Sequence, residues 1–397
     1  MSETVRIELQ ERSYEVVVGT GLLASLGERC RDLFPKSTRV FVVHDNNLPS
    51  ETVSVTHDAL RAHGFEVAGD GVNALESNKT VATVDRLLHE LAETRHERTD
   101  PVVALGGGIV GDVAGFVAAS YKRGVPIVQC PTTLLAMVDA SVGGKTGVNL
   151  ATRSGLKKNL IGAFWQPSLV LADVDTLRSL PKRELSAGLG ECLKHGLIAS
   201  SPAGPGESEP GMLFEETTEH CVRLRMGELD RAVELVAKNV RVKAAFVAGD
   251  ERETAPSAAG GRALLNLGHT FAHAIETLAH LSPDGDPEHA PLLHGEAVAL
   301  GLVCAAGAAK ASGLVDDGYE ERVRIGVERI GVVSRLMGLP DDESLLERMM
   351  HDKKVAAGML RLVLPDGIGT CKVVENPDLE VVSAGWDAIR VHPEKRV

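Results

Sequence analysis

The sequence predicts two domains of different class: an open α/β layer fold over residues 1–180 and a mostly helical domain over residues 181–397. Three observations support this. Short β-branched runs alternate with helical periodicity in the first half, the texture changes after Leu180-Pro181, and long helical segments dominate the second half. The length of 397 residues suits two domains or one large one, with ample core.

In chain order, the runs at 16–18, 40–43, 102–105, 127–130 and 169–171 read as strands. Several end directly in turn or polar residues, as strands feeding ligand-binding loops do. Residues 80–94 have helical periodicity, as do 185–198, 228–249, 262–276 and 294–312. A late β-branched run occupies 360–364, and the polar, Pro/Gly-rich stretches 200–211, 252–261 and 282–291 read as loops. No internal repeat is visible.

Composition narrows the function class. A net charge of −13 and a pI near 5.6 argue against a nucleic-acid partner. Six scattered cysteines with no C-x-x-C pair fit a reducing compartment. With no secretory pattern at the N-terminus and no apolar run long enough to span a bilayer, the expectation is a cytoplasmic protein without membrane association.

Chemistry concentrates in a few segments. Gly106-Gly107-Gly108, with Gly111 and Asp112, follows a strand and opens a helix, where glycine lets backbone N–H groups approach a phosphate. Asp45 ends another strand; it suits a ribose hydroxyl or, equally, a turn with Asn46 and Asn47. Thr132 and Thr133 end a third strand, as ligand hydroxyls or as a helix cap. Between Asp139 and Asn149, glycines surround Lys145 in a composition suited to wrapping an anion, and Lys157, Lys158 and Asn159 follow. In the second half, Glu191 and Lys194 share a helical face, which is ordinarily a surface pair. Arg262, Asn266, His269 and His273 recur at offsets of four, three and four, which predicts one polar helical face between apolar flanks. Two histidines and a carboxylate make a catalytic zinc set, but spacing alone leaves open which two of His269, His273 and His294 join Glu191.

Together these segments resemble the 3-dehydroquinate synthase family of sugar-phosphate cyclases. The motifs Gly-Gly-Gly-x-x-Gly-Asp, Pro-Thr-Thr-Leu-Leu, Asp-x-Ser-Val-Gly-Gly-Lys, Lys-Asn-Leu-Ile-Gly-Ala-Phe, Asn-Leu-Gly-His-Thr-Phe-x-His-Ala-Ile-Glu and His-Gly-Glu-Ala-Val occur in order. The resemblance implies a homodimer whose chain has an N-terminal Rossmann-like NAD-binding α/β domain (1–180) and a mostly α-helical C-terminal metal-binding domain (181–397). It assigns a divalent metal, Zn2+ or Co2+, to Glu191, His269 and His294. NAD+ would contact Asp45, Glu76, Lys79, Gly107, Gly108, Gly111, Asp112, Thr132, Thr133, Lys145, Lys158, Thr176 and Leu177. Lys243 and Arg262 would hold a substrate carboxylate, and Arg123 the phosphate of the neighbouring subunit's substrate. Lys145, Asn159, Asn266, His273, Lys353 and Lys354 would complete the substrate contacts, with Asp139, Lys194, Asn266 and His273 in catalytic roles.

The implied reaction converts 3-deoxy-D-arabino-heptulosonate 7-phosphate to 3-dehydroquinate and phosphate, a step of the shikimate pathway. It runs through transient oxidation, phosphate elimination, reduction, ring opening and an intramolecular aldol, with no net redox. The rivals are an amino-dehydroquinate synthase or another cyclase of specialised metabolism, and a polyol dehydrogenase. Departures from the family are the long segments 149–159, 252–261 and 282–292 and Lys157 in place of the usual glycine.

Overall fold

The computed structural model describes residues 2–153, 155–254, 261–350 and 359–391. They divide into two compact units, one of Met1–Pro181 with Leu229–Ala244, the other of Lys182–Glu228 with Ala245–Val397. Segment 229–244 thus groups with the first unit, which a single boundary near residue 180 does not anticipate. Lys353 and Lys354 lie outside the described residues.

The first unit runs β1 (Ser2–Ile7), β2 (Tyr14–Gly19), α1 (Leu26–Leu33), β3 (Arg39–Asp45), α2 (Ser50–Ala62) and β4 (Glu66–Val72). It continues with α3 (Val81–Glu93), β5 (Val102–Gly106), α4 (Gly108–Ser120), β6 (Ile127–Pro131), β7 (Lys145–Thr152), β8 (Gly155–Phe164) and β9 (Leu169–Asp173). Seven strands form one sheet in the order β1-β2-β9-β6-β5-β3-β4, parallel except for β1 against β2. Its central strands are apolar at nearly every position because both faces are covered. Period-two alternation sends Phe41, Val43, Val102 and Ala104 into a core shared with α3 and α4. The neighbours Val40, Val42, Val103 and Leu105 join a second core with Leu26, Cys30 and Leu60 of α1 and α2. The chain order reverses between β3 and β5, so the carboxyl ends of these strands flank the crevice where open α/β sheets hold ligands. Asp45 and Gly106 sit at those ends.

Residues 149–152 and 155–159 belong to the far end of a hairpin, because β7 and β8 pair with each other and not with the main sheet. Most of β8 is exposed.

The second unit contains α5 (Lys182–Ile198), α6 (Met212–Arg225), the end of α7 (Ala232–Gly249), α8 (His269–Glu276) and α9 (His294–Ala311). After them come α10 (Asp317–Arg329), α11 (Asp342–Met350), the hairpin of β10 (Arg361–Gly367) and β11 (Thr370–Glu375), and α12 (Leu379–Ile389). Every residue of α9 from Gly295 to Ala309 is buried. So central a helix must meet its neighbours closely, and glycine permits it. A Cβ on Gly295 would lie 1.9 Å from the Ala187 carbonyl oxygen of α5, and one on Gly301 would lie 2.2 Å from the Gly268 carbonyl oxygen.

The expected single helix over 262–276 is not formed. Residues Gly261–Asn266 form a 3-10 turn, and α8 starts afresh at His269. The cause is Gly268, at φ +76°, a left-handed conformation that ends one helix and admits the backbone of α9. Arg262 and Asn266 therefore do not share a continuous helical face with His269 and His273.

Candidate functional site

In the second unit, three elements converge on one carboxylate. Glu191 is fully buried on α5, with Oε1 3.6 Å from Nε2 of His269 and 3.6 Å from Nε2 of His294. The three ligand atoms all lie within 4.8 Å of one another. Two donors each about 2.1 Å from one tetrahedral ion sit roughly 3.4 Å apart, so the spacing fits a zinc-type site. The opposite ring nitrogens are engaged as well. Nδ1 of His269 lies 3.1 Å from the Leu267 carbonyl, and Nδ1 of His294 lies 2.8 Å from Glu276 Oε2. Such partners fix the ring and leave Nε2 for the ion. Desolvation opposes protonation of His294, but the neighbouring carboxylates, Glu191 at 3.6 Å and the hydrogen-bonded Glu276, outweigh that and lift its pKa to about 10.

Spacing left three histidines open, and the geometry separates them. His269 and His294 face Glu191, whereas His273 groups with Glu276 and His294. The Glu191–Lys194 pair is not the expected surface pair: Lys194 is 1% exposed and its Nζ contacts Glu191 Oε2. Arg183 grips Glu296 through two hydrogen bonds of 2.7 and 2.8 Å, and Glu296 accepts the Leu293 N–H, which fixes the start of α9 next to His294. Sequence reasoning gave no role to Glu276, Glu296 or Arg183. Glu276 had a readable signal, three residues beyond His273 on one helical face.

Arg262 is 1% exposed. Its Nη1 donates to the Glu251 carbonyl at 2.6 Å, and Nε lies 3.2 Å from Glu253 Oε1. Nη2 has no hydrogen-bond partner among the described residues, a spare donor suited to a carboxylate. Asn266 is partly buried at the end of the same 3-10 turn.

In the first unit, the site is built from turns. Gly107 precedes α4 without a side-chain cap, and a Cβ there would lie 3.0 Å from the Thr133 side chain. Gly108 faces the Ala140 methyl at 3.2 Å from such a Cβ. Gly111 is constrained differently, since its Cβ would lie 2.8 Å from Gln129 Oε1, a packing contact within the unit. Thr133 accepts the Ala136 N–H at 3.2 Å, so it caps the following turn. Thr132 is buried, and its carbonyl accepts the Thr176 hydroxyl at 3.4 Å. Thr176 and Leu177 lie in a 3-10 helix, Val174–Ser179. Asp45 closes an Asx turn, with Oδ1 accepting from the Asn47 N–H at 3.0 Å.

Lys79 sits between Asp112 Oδ2 and Asn159 Oδ1, donating to both, which brings a cofactor candidate and a substrate candidate together. Burial pushes the Asp112 carboxyl above its usual range, against the pull of Lys79. Asn149, 2% exposed, organises this group. Its amide donates to Glu76 Oε1 at 2.7 Å, its Oδ1 accepts the Asn159 N–H at 2.8 Å, and its own N–H donates to the Lys79 carbonyl at 2.8 Å. In the sequence Asn149 marks only a segment boundary, so this role is new. Lys145 and Lys158 are exposed on the hairpin, and Lys243 of α7 donates to Asp139 Oδ1 at 2.6 Å.

Arg123 lies in an unusual turn. Lys122, Arg123 and Gly124 have φ of +47°, +67° and +120°. Two successive non-glycine residues in left-handed conformation cost about 1–3 kcal/mol each. The Arg123 side chain is exposed and makes no hydrogen bond or ion pair among the described residues.

Comparison with known proteins finds the same family for both parts of the sequence. Residues 71–187 match the 3-dehydroquinate synthase N-terminal family and residues 188–355 the 3-dehydroquinate synthase C-terminal family. A 3-dehydroquinate synthase of Jannaschia sp. (strain CCS1) is 41% identical over 394 residues, covering 97% of this chain and 98% of that protein. Among solved structures, 2-epi-5-epi-valiolone synthase from Streptomyces hygroscopicus subsp. jinggangensis, with NAD+ and Zn2+ bound, has a TM-score of 0.79 at 27% identity, covering 95% of this chain and 97% of that one. A 2-deoxy-scyllo-inosose synthase complexed with carbaglucose-6-phosphate, NAD+ and Co2+ shares the fold, with a TM-score of 0.80 at 24% identity, covering 97% and 100%. With both family halves matched in order and 41% identity over nearly its whole length, the chain belongs to the 3-dehydroquinate synthase family.

Proposed function

We propose that this chain is a phosphate-eliminating carbon–oxygen lyase that depends on NAD+ and a divalent metal. It converts 3-deoxy-D-arabino-heptulosonate 7-phosphate to 3-dehydroquinate and phosphate in the cytoplasm, as a homodimer on the shikimate pathway. The observation that carries the reading is the Glu191, His269 and His294 trio, in a chain 41% identical to a protein of that name. When bound, NAD+ supplies a transient hydride acceptor and Zn2+ or Co2+ a Lewis acid.

The chain's own residues do the rest. Glu191, His269 and His294 hold the ion, with Glu276 and the Leu267 carbonyl orienting the rings. The buried Lys194 ammonium offsets charge at Glu191 and orients it. His273, one helical turn beyond His269, is the proton carrier, and Asn266 aligns a substrate hydroxyl. Arg262 and Lys243 bind the carboxylate, and Asp139 holds the Lys243 ammonium in place. Lys145, Asn159 and the partner subunit's Arg123 take the phosphate, whose departure they ease by offsetting its charge. Lys353 and Lys354 add to the same cationic set. The dinucleotide is held by Gly107, Gly108, Gly111, Thr132 and Thr133 along its phosphates, and by Asp45, Glu76, Lys79, Asp112, Lys145, Lys158, Thr176 and Leu177 around them. Sister cyclases whose substrates lack the carboxylate have no use for the Arg262 and Lys243 pair.

The test is to incubate purified protein with NAD+, Co2+ and the heptulosonate phosphate, follow phosphate release and identify the carbocycle. Stoichiometric phosphate and 3-dehydroquinate are expected. Net NADH accumulation without phosphate release would sink the reading. Arg262→Ala should raise KM for this substrate about tenfold or more while metal content stays intact, and an unchanged KM would remove the carboxylate assignment.

A further inference from the structure

Trp165 has no counterpart in the roles assigned so far, yet it touches two separate turns of the first unit that carry cations. Its backbone N–H donates to the Gly144 carbonyl at 2.7 Å, immediately before Lys145. Its indole Nε1–H donates to the Val125 carbonyl at 2.9 Å, immediately after the Lys122-Arg123-Gly124 turn. The ring also lies flush against that turn: a Cβ on Gly124 would stand 2.3 Å from Trp165 Cη2. The Lys122-Arg123 backbone needs holding because both residues are left-handed, whereas Gly143 and Gly144, at φ +100° and +66°, take their turn without steric cost. A second clamp acts on the same turn, where the Arg98 guanidinium donates to the Lys122 carbonyl at 3.0 Å.

We infer that Trp165, assisted by Arg98, is a positioning residue that holds the Arg123 turn and the Lys145 turn in fixed register, so that Arg123 meets a substrate phosphate without first being ordered. This rests on the reading of Arg123 as a phosphate-directed residue. An exposed arginine on a strained, unsupported turn would lose much of its binding energy to ordering of the loop. A large aromatic ring with one N–H loses little conformational freedom while bracing two backbones.

A double-mutant cycle on KM and kcat with the heptulosonate phosphate tests this. Trp165→Phe keeps a ring against Gly124 and loses the donor to Val125; Arg98→Ala removes the second clamp from a solvent-exposed position, so folding is not at stake. Each should raise KM about threefold to tenfold with kcat little changed, and neither should add to the defect of Arg123→Ala. Full additivity on the Arg123→Ala background overturns the positioning role, as does an unchanged KM in both Trp165→Phe and Arg98→Ala. If Arg123→Ala itself leaves KM unaltered, the phosphate reading of Arg123 fails and the inference goes with it.

Discussion

Helix α5 and strand β8 both carry candidate ligand residues, yet they solve the problem in opposite ways. From Leu185 to Ile198 every residue of α5 is buried, and Glu191 and Lys194 are fixed by the core around them. Strand β8 is exposed over most of its length, and Asn159 is held by a few hydrogen bonds to Asn149 and Lys79. A metal needs donors at invariant distances, and close packing supplies that. Phosphates tolerate looser cations whose contacts are local and polar. The contrast teaches that precision comes from burial in one unit and from backbone conformation in the other.

The largest expected effect is that of Glu191→Ala. It deletes a metal ligand and leaves the buried Lys194 ammonium without its partner carboxylate, at a cost of about 3–5 kcal/mol. Metal content after dialysis should fall to background and the melting temperature should drop sharply. One retained ion per chain would break the ligand assignment.

Gly268→Ala comes next. A Cβ at φ +76° would lie 2.9 Å from the Gly301 carbonyl carbon and the Leu302 nitrogen, so destabilisation of about 2–4 kcal/mol is expected from denaturant titration. Because His269 follows directly, metal affinity should fall in parallel. Full stability in this variant would mean the close approach is not required.

Asp100→Asn should cost about 1–3 kcal/mol in the first unit. Burial opposes this carboxylate, but N–H donors from Glu97, Arg39 and Thr38 and the Ser37 hydroxyl together hold its pKa below the ordinary 3.8. With the folded value depressed, the stabilisation is complete above about pH 4 and disappears as pH falls through the folded pKa. Acid titration of the wild type and the variant should therefore converge at low pH, and parallel curves would argue against a role for the charge.

The smallest effect belongs to Lys157→Ala on the exposed face of β8, expected within about 0.5 kcal/mol of wild type. A loss above about 1 kcal/mol would mean that the hairpin is braced more like α5 than its exposure implies.

Legibility from sequence followed the same divide. The central strands were readable because residues buried on both faces are apolar almost throughout, and α9 because a buried helix of eighteen residues has little polar content. The ligand trio was readable only as a choice, since periodicity ranks residues on one helix but cannot say which helix ends meet. The 262–276 segment misled because its offsets are perfectly helical, and the break at Gly268 serves a neighbour far away in sequence. Hairpin β7–β8 was hidden by its Gly, Lys and Asn content, its partner being itself rather than a core. The left-handed φ of Lys122 and Arg123 has no signature at all, because neither residue type favours it.

The glycines around α9 carry one further consequence. At Gly190–Gly295 and Gly268–Gly301 main chain rests on main chain, with no side chain between. The spacing among Glu191, His269 and His294 is then governed by van der Waals radii of the peptide, which mutation cannot alter, rather than by filler residues, which it can. Refitting this centre to a larger or smaller ion would have to include those four positions, since they set how closely the backbones carrying the ligands approach.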